Sequence, residues 1–235
     1  MTGAVYSGPG EGVAAFVAAA EPRAPFNRVL MVDPEFFQVE YEINPHMKGN
    51  AGAVDGAAAR AEWIALKRSY ESLGLTVEVC HARAGLPDLV FAANQSLPFR
   101  ESGKPAALLS NMARAERRPE PAVIGDVLAG LGFRLQPLAA SPFEGTGDAI
   151  WHPGKNLIWG GFGFRTSLEA WNEVARLTGA RVVPLRLVDE RCYHLDVCLM
   201  PIDETRAFAC RAAFDAESWA RLRAGFPELI EADES

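Results

Sequence analysis

The feature that most constrains this chain is a weak internal repeat in which two strands, a helix and a third strand follow one another. The repeat is predicted over residues 87–138, 146–188 and 191–231, with a looser copy over residues 28–80. One ββαβ unit cannot bury both faces of its sheet, so such units are expected to pack side by side around a common axis. The alternative is an ordinary α/β sheet whose spacing arises by chance.

Apolar runs and turn residues predict the elements of these units. The run at residues 89–93 predicts a strand that reaches Asn94, and residues 192–200 predict another strand, which contains His194. A glycine lies at or just past the end of each predicted helix, as is usual at helix C-termini. The predicted helices span residues 57–73, 123–131 and 168–177, and Asp215 caps a fourth that ends near Gly225.

The composition excludes several classes of protein. Of 235 residues, 49% are hydrophobic and 23% charged, which is typical of a globular protein and not of a disordered or collagen-like one. The net charge of −7, without a block of Lys or Arg, argues against nucleic acid or an anionic membrane surface as a partner. No apolar run approaches the roughly 18–20 residues of a membrane span. Four scattered cysteines predict reduced thiols and a cytoplasmic protein: Cys80, Cys192, Cys198 and Cys210.

Polar clusters lie at the ends of predicted strands, where a rigid scaffold can present a site. Glu144 and Asp148 flank two glycines, which permit a positive φ and the close approach of a ligand. Each acid taken singly is more often a turn or capping residue, and that alternative stays open. The clusters are residues 87–94, 143–148, 163–166 and 193–196.

His194 is the candidate general acid or base, although a core histidine bonded to the backbone is an equal alternative. In a strand, alternate residues share a face, so Cys192 would lie near His194. The two side chains could form a Cys–His pair, or a metal cluster together with Cys198. Neither arrangement has the spacing of a known metal-ligand motif, so we predict no metal.

These clusters, taken in order, resemble the guanidino-group-modifying (pentein) superfamily, which includes arginine deiminase, dimethylarginine dimethylaminohydrolase, arginine dihydrolase and glycine amidinotransferase. The resemblance implies an α/β fold, a pentein-type α/β propeller of five ββαβ blades, of which about four are present here. We therefore expect a loose N-terminal leader at residues 1–25 and an incomplete propeller domain at residues 26–235. The matching segments are residues 31–34, 41–47, 87–94, 143–148, 163–166 and 193–196.

The same resemblance implies a covalent hydrolytic mechanism without a cofactor. A cysteine thiolate attacks the guanidinium carbon, and His194 protonates the leaving amine and later activates water. Glu144 corresponds to the carboxylate that orients this histidine. Asp88 corresponds to the carboxylate that grips the guanidinium nitrogens, and Arg165 and Arg114 to arginines that hold the substrate α-carboxylate. The expected substrate-binding residues are Asp88, Phe91, Asn94, Arg114, Asp148 and Arg165.

Asn94 bears on the choice of reaction. Deiminases and dimethylargininases tend to have an acidic residue near this position, whereas a Phe-x-x-Asn form is similar to arginine dihydrolases, which release ornithine, ammonia and carbon dioxide. We therefore favour dihydrolase-like chemistry slightly over dimethylargininase or deiminase chemistry, with an amidinotransferase left open. The expected partner is a small molecule, arginine or a methylated arginine, and a homo-oligomer is left open.

The expected nucleophile is missing from the sequence. In the superfamily it lies in the last blade, near the C-terminus, and no cysteine follows Cys210 here. Cys192 is not expected to replace it. We therefore expect a fragment of a longer enzyme, in preference to a shortened, non-catalytic relative that binds a guanidine or a partner protein.

Overall fold

Small sheets recur along the computed structural model of the chain, which describes residues 3–138 and 142–232. The strands are β1 (Ala4–Val5), β2 (Arg28–Val32), β3 (Thr76–Cys80), β4 (Ser96–Glu101), β5 (Lys104–Leu109), β6 (Arg134–Pro137), β7 (Ala149–Trp151), β8 (Leu157–Phe162), β9 (Arg181–Arg186), β10 (Leu199–Pro201), β11 (Arg206–Cys210) and β12 (Glu228–Ala232). The helices are α1 (Val13–Ala18), α2 (Gly56–Ser72), α3 (Glu120–Gly130), α4 (Gly145–Asp148), α5 (Ala170–Thr178) and α6 (Ala216–Gly225).

Three of the sheets repeat one pattern. β4 pairs antiparallel with β5, and β6 then returns parallel to β5 after α3. The same order links β7, β8 and β9 through α5, and β10, β11 and β12 through α6. β2 and β3 form a parallel pair connected through α2, which is the looser first copy. The predicted α/β fold of ββαβ units is therefore confirmed.

Helices α5 and α6 form where the sequence predicts them. In α5, Trp171, Val174 and Thr178 recur at helical spacing, and all three are buried. In α6, the side chain of Asp215 accepts a hydrogen bond of 2.8 Å from the backbone N–H of Ser218, which caps the helix. Among the described residues, no helix is both long and apolar enough to cross a lipid bilayer.

Two predicted strands are wrong. Residues 87–90 form a 3₁₀ turn, and the first strand of that unit begins only at Ser96. Most of residues 192–200 likewise lies in turns, over Glu190–Cys192 and Leu195–Val197. A short continuous apolar run does not distinguish a strand from a buried helical turn, and Pro87 and the Asp189 cap both favour the turn. The strand alternation that placed Cys192 beside His194 therefore does not exist.

The N-terminal leader is not loose over its described residues. β1 extends the β7–β8–β9 sheet by pairing parallel with β9, so that Ala4 lies opposite Arg181. In α1, Val13 and Val17 lie one helical turn apart and are buried in the core that α6 and the β7–β9 sheet share. The expectation of a loose segment failed because this pairing joins residues far apart in the sequence.

The functional segments occupy one place in three successive units, directly before the first strand. Residues 87–94 precede β4, residues 143–148 precede β7, and residues 193–196 precede β10. Because the units are alike, their side chains meet at a common centre. These three clusters thus lie ahead of a first strand, whereas the fourth, residues 163–166, directly follows β8.

Replacing Val13 with Ala tests whether the N-terminal segment belongs to the core. Val13 is fully buried, so Val13→Ala is expected to lower the free energy of unfolding by about 2 kcal/mol. Val188→Ala is the matched control, because that side chain is half exposed and should change stability by less than about 0.5 kcal/mol. Urea unfolding of both variants measures the difference, and equal effects would show that residues 3–20 contribute no core.

Candidate active site

A cavity of about 290 Å³ lies where the polar segments meet. Its wall combines charged and polar groups on one side with apolar side chains, including Met47 and Val197, on the other. Five of the predicted site residues line it: Asp88, Phe91, Asn94, Arg165 and His194. Such a cavity suits a small ligand with both a polar end and an aliphatic part.

His194 is buried between two buried carboxylates. Its Nε2 lies 3.0 Å from Oε2 of Glu144, and its Nδ1 lies 3.2 Å from Oδ2 of Asp148. Burial alone would lower the pKa of His194, but the two carboxylates outweigh it and raise the pKa to about 9. Burial would raise the pKa of Glu144, but His194 and Arg165 outweigh burial and lower it. His194 is therefore positively charged at neutral pH, with a proton on both ring nitrogens.

Glycines allow the two carboxylates to approach His194 from one short helical turn. Gly145, with a φ of 54°, has no room for a Cβ, which would lie 2.6 Å from the backbone oxygen of Ala93. At Gly147 a Cβ would lie 2.2 Å from Nδ2 of Asn94. The two glycines therefore bring α4 against the segment that carries Asn94. Asp148 lies behind His194 and does not line the cavity.

Asp88 lines the cavity with an unsatisfied carboxylate. The residue is 1% exposed, and neither side-chain oxygen has a hydrogen-bond partner within the described residues. The nearest cation is Arg117, whose Nε lies 3.8 Å from Oδ2. Burial raises the pKa of Asp88, although Arg117 and the nearby hydroxyl of Tyr41 oppose the shift. Arg117 and the Tyr41 hydroxyl lie near this carboxylate without forming a well-aligned hydrogen bond to either oxygen, and a cationic ligand in the cavity would provide the missing donors.

Arg117 is a cavity residue that the sequence motifs did not reveal. Its Nη1 donates to Oδ1 of Asn94 at 2.9 Å, and its Nη2 donates to Oε2 of Glu120 at 2.7 Å. The available signal was the i, i+3 spacing of Arg117 and Glu120, two opposite charges just ahead of the helix predicted at residues 123–131. Because Arg117 fixes Oδ1, the Nδ2 of Asn94 faces His194, 3.3 Å from Nε2.

The two predicted arginines lie in different surroundings. Arg165 contacts Glu144 at 3.3 Å, donates to the backbone oxygen of Ile43 at 2.9 Å, and stacks on Tyr193. Arg114 does not line the His194 cavity. It lines an adjoining cavity of about 360 Å³, which Arg165 and Tyr193 also border. The second cavity opens beside the first, and the sequence motifs did not identify Tyr193 as a residue that lines both.

No cysteine lines either cavity among the described residues. Cys192 and Cys198 are buried in the core beneath β10. A hydrogen bond with Cys192, together with burial, raises the pKa of Cys198 far above its usual value. None of the chain's cysteines, all within the described ranges, forms a disulfide.

Comparisons with known proteins identify related sequences. The family model described as N,N dimethylarginine dimethylhydrolase, eukaryotic, matches residues 35–224. The N(G),N(G)-dimethylarginine dimethylaminohydrolase of Mycobacterium tuberculosis is 34% identical over 222 residues, which are 92% of this chain and 70% of that protein. The bifunctional arginine dihydrolase/ornithine cyclodeaminase ArgZ of Synechocystis is 34% identical over 192 residues, which are 81% of this chain and 26% of that protein.

A solved structure extends the likeness to three dimensions. The N-terminal domain of ArgZ, an arginine dihydrolase from Cyanobacteria, was crystallised as a Cys-to-Ser variant bound to substrate. It matches with a TM-score of 0.83 and 33% identity over 88% of this chain and 76% of that chain.

The charge on His194 predicts a dependence of stability on pH. The pKa in the folded chain, about 9, exceeds the ordinary value of about 6.5. The stabilisation is therefore fully present below pH 6.5 and is lost as the pH rises through 9, by up to about 3 kcal/mol. Denaturant unfolding from pH 6 to 9.5 measures this loss.

Two variants separate His194 from other groups that titrate in that range. His194→Gln should flatten the pH dependence, whereas His81→Gln, at an exposed position, should leave it unchanged. If wild type and His194→Gln lose stability in parallel, His194 is not the group responsible.

Proposed function

The chain belongs to the N,N-dimethylarginine dimethylhydrolase family, and on that premise we propose that its cavity binds the guanidino group of arginine or an N-substituted arginine for hydrolysis. The observation that carries the proposal is the buried, unsatisfied carboxylate of Asp88 in the cavity wall. A guanidinium offers parallel N–H donors at the spacing of a carboxylate's two oxygens, so it satisfies both oxygens together.

His194 supplies the proton in this proposal. Its raised pKa of about 9 keeps it charged at neutral pH, as a general acid for the leaving amine must be. Glu144 holds the proton-bearing Nε2, and Arg165 balances the charge of Glu144. Once the proton has left, the neutral imidazole can accept one from water in the second half of the reaction.

A covalent mechanism also needs a thiolate, because the guanidinium carbon is a weak electrophile. The described residues place no thiol beside the cavity, and Cys192 and Cys198 are buried in the core. We therefore propose that none of the four cysteines of these 235 residues is the nucleophile. The cyanobacterial structure that holds substrate is itself a Cys-to-Ser variant, which is consistent with a cysteine nucleophile in that relative.

Arginine dihydrolase chemistry is the preferred reaction, and Asn94 supports the preference. Its amide is locked by Arg117 and approaches Nε2 of His194, so a neutral group faces the leaving amine. The ArgZ relative carries the same named activity. Dimethylargininase, deiminase and amidinotransferase reactions use the same charges and remain alternatives, as does binding of a guanidine without turnover.

Arginine binding tests the proposed role of Asp88. Calorimetric titration of the chain with L-arginine is expected to show binding that Asp88→Asn weakens roughly 30-fold, which corresponds to about 2 kcal/mol for a charged hydrogen-bond pair. Asp126→Asn is the matched control, because Asp126 is exposed on α3, away from the cavity residues. Equal affinities of the wild type and the Asp88→Asn variant would refute the proposed site.

Product analysis tests the proposed position of the nucleophile. The 235-residue chain is expected to bind arginine without forming ornithine, citrulline or ammonia, because no thiol lines the cavity among its described residues. A longer gene product that adds a cysteine should release ornithine and ammonia if it is a dihydrolase. Turnover by the 235-residue chain that is lost in Cys192→Ser would overturn this assignment.

A further inference from the structure

The hydroxyl of Thr166 contacts both ends of the helical turn from Glu144 to Asp148, whose two carboxylates flank His194. It accepts a hydrogen bond of 3.1 Å from the backbone N–H of Glu144 and donates one of 2.6 Å to Oδ2 of Asp148. Thr166 is buried and lies in the turn after β8, outside α4. One hydroxyl therefore links the segment before β7 to the loop that follows β8.

Asp148 depends on this hydroxyl for its orientation. Its Oδ1 accepts from the backbone N–H of Leu195 at 3.1 Å, which fixes one oxygen. Its Oδ2 is the atom that lies 3.2 Å from Nδ1 of His194, and Thr166 donates to that same oxygen. Without the hydroxyl, the polar contacts left within the described ranges to oppose rotation about the last side-chain bond of Asp148 are the Leu195 bond and the contact with His194 itself.

Glu144 has separate supports. Its Oε1 accepts from the backbone N–H of Ala113 at 3.0 Å, and its Oε2 contacts Arg165 at 3.3 Å. The other groups that face His194 are the amide of Asn94, the ring of Tyr193 and the carboxylate of Asp196. None of these side chains bonds to the hydroxyl of Thr166. Loss of this hydroxyl also frees the backbone N–H of Glu144, but the carboxylate that it leaves without its side-chain donor is that of Asp148.

We propose that Thr166 is a positioning residue for His194, whose hydroxyl fixes the Asp148 carboxylate against Nδ1 and so holds the imidazole charged and aimed at the cavity. The chemical purpose of this positioning rests on the proposed function, in which His194 delivers a proton to the leaving amine. The positioning itself is a property of the folded chain and can be measured without substrate.

Imidazole titration by NMR tests the proposal in the isotope-labelled chain. Thr166→Val removes the hydroxyl at nearly constant volume, and it is expected to lower the pKa of His194 by about one unit or more, because Asp148 is no longer held against Nδ1. Thr166→Ser keeps the hydroxyl and should preserve the wild-type pKa. The imidazole signal of the wild type that is missing from the spectrum of His194→Gln is assigned to His194.

Thr146→Val is the matched control, because Thr146 donates to the backbone oxygen of Ala93 at 2.9 Å from the same helical turn. It loses a comparable hydrogen bond without touching either carboxylate, so the pKa of His194 should not change. An equal shift in Thr146→Val would mean that loosening the turn suffices, and it would overturn the specific role of Thr166. An unchanged or raised pKa in Thr166→Val would overturn it as well.

A third variant at position 166 and a measurement of arginine affinity cover the remaining outcomes. If Thr166→Val does not fold, Thr166→Cys keeps a donor that is weaker than a hydroxyl, and it should give a smaller shift in the same direction; no shift there would refute the proposal. Arginine affinity of the wild type is measured in parallel. Failure to bind arginine would contradict the proposed function, while the titration would still decide the role of Thr166.

Discussion

A protonated imidazole buried between two carboxylates is the interaction on which the rest of the site depends. Burying three ionised groups is unfavourable unless each is paired and hydrogen-bonded. Here His194 pairs with Glu144 and Asp148, and Arg165 supplies the second positive charge. The four charges balance, provided that the carboxylates stay within hydrogen-bond distance of the ring. That condition explains why the turn between the two acids contains Gly145 and Gly147.

The repeated unit brings these charges together. The segment before the first strand of a unit lies outside the strands of its sheet, so its side chains can face the centre. Three units use this position for three purposes: Asp88 lies before β4, the acids of α4 lie at the start of β7, and His194 lies before β10. A site assembled from equivalent positions needs only short, rigid turns, in agreement with the 3₁₀ turns before β4 and β10 and the single helical turn of α4 before β7.

The sequence predicts local features of this protein better than distant contacts. Helices α5 and α6 were predictable because spacing and caps such as Asp215 are local signals. The turns around Asp88 and His194 were mistaken for strands, because a few apolar residues in a row fit either structure. Arg117 was missed because its role depends on a hydrogen bond to Asn94, 23 residues away. The resemblance to a known superfamily located the acids and His194, but it could not reveal such contacts.

Charge balance also explains how Asp88 is kept available to a ligand while a protein guanidinium lies nearby. Arg117 would be the natural partner of Asp88, yet its Nε and Nη2 both donate to Glu120, and its Nη1 donates to Asn94. Its one contact with Asp88 at hydrogen-bond distance goes to the backbone oxygen, at 3.2 Å. Glu120 thus neutralises Arg117 and leaves the Asp88 carboxylate without a charged donor. A substrate guanidinium can then bind Asp88 without first breaking a hydrogen bond between Arg117 and that carboxylate, since Nε of Arg117 stays 3.8 Å from Oδ2.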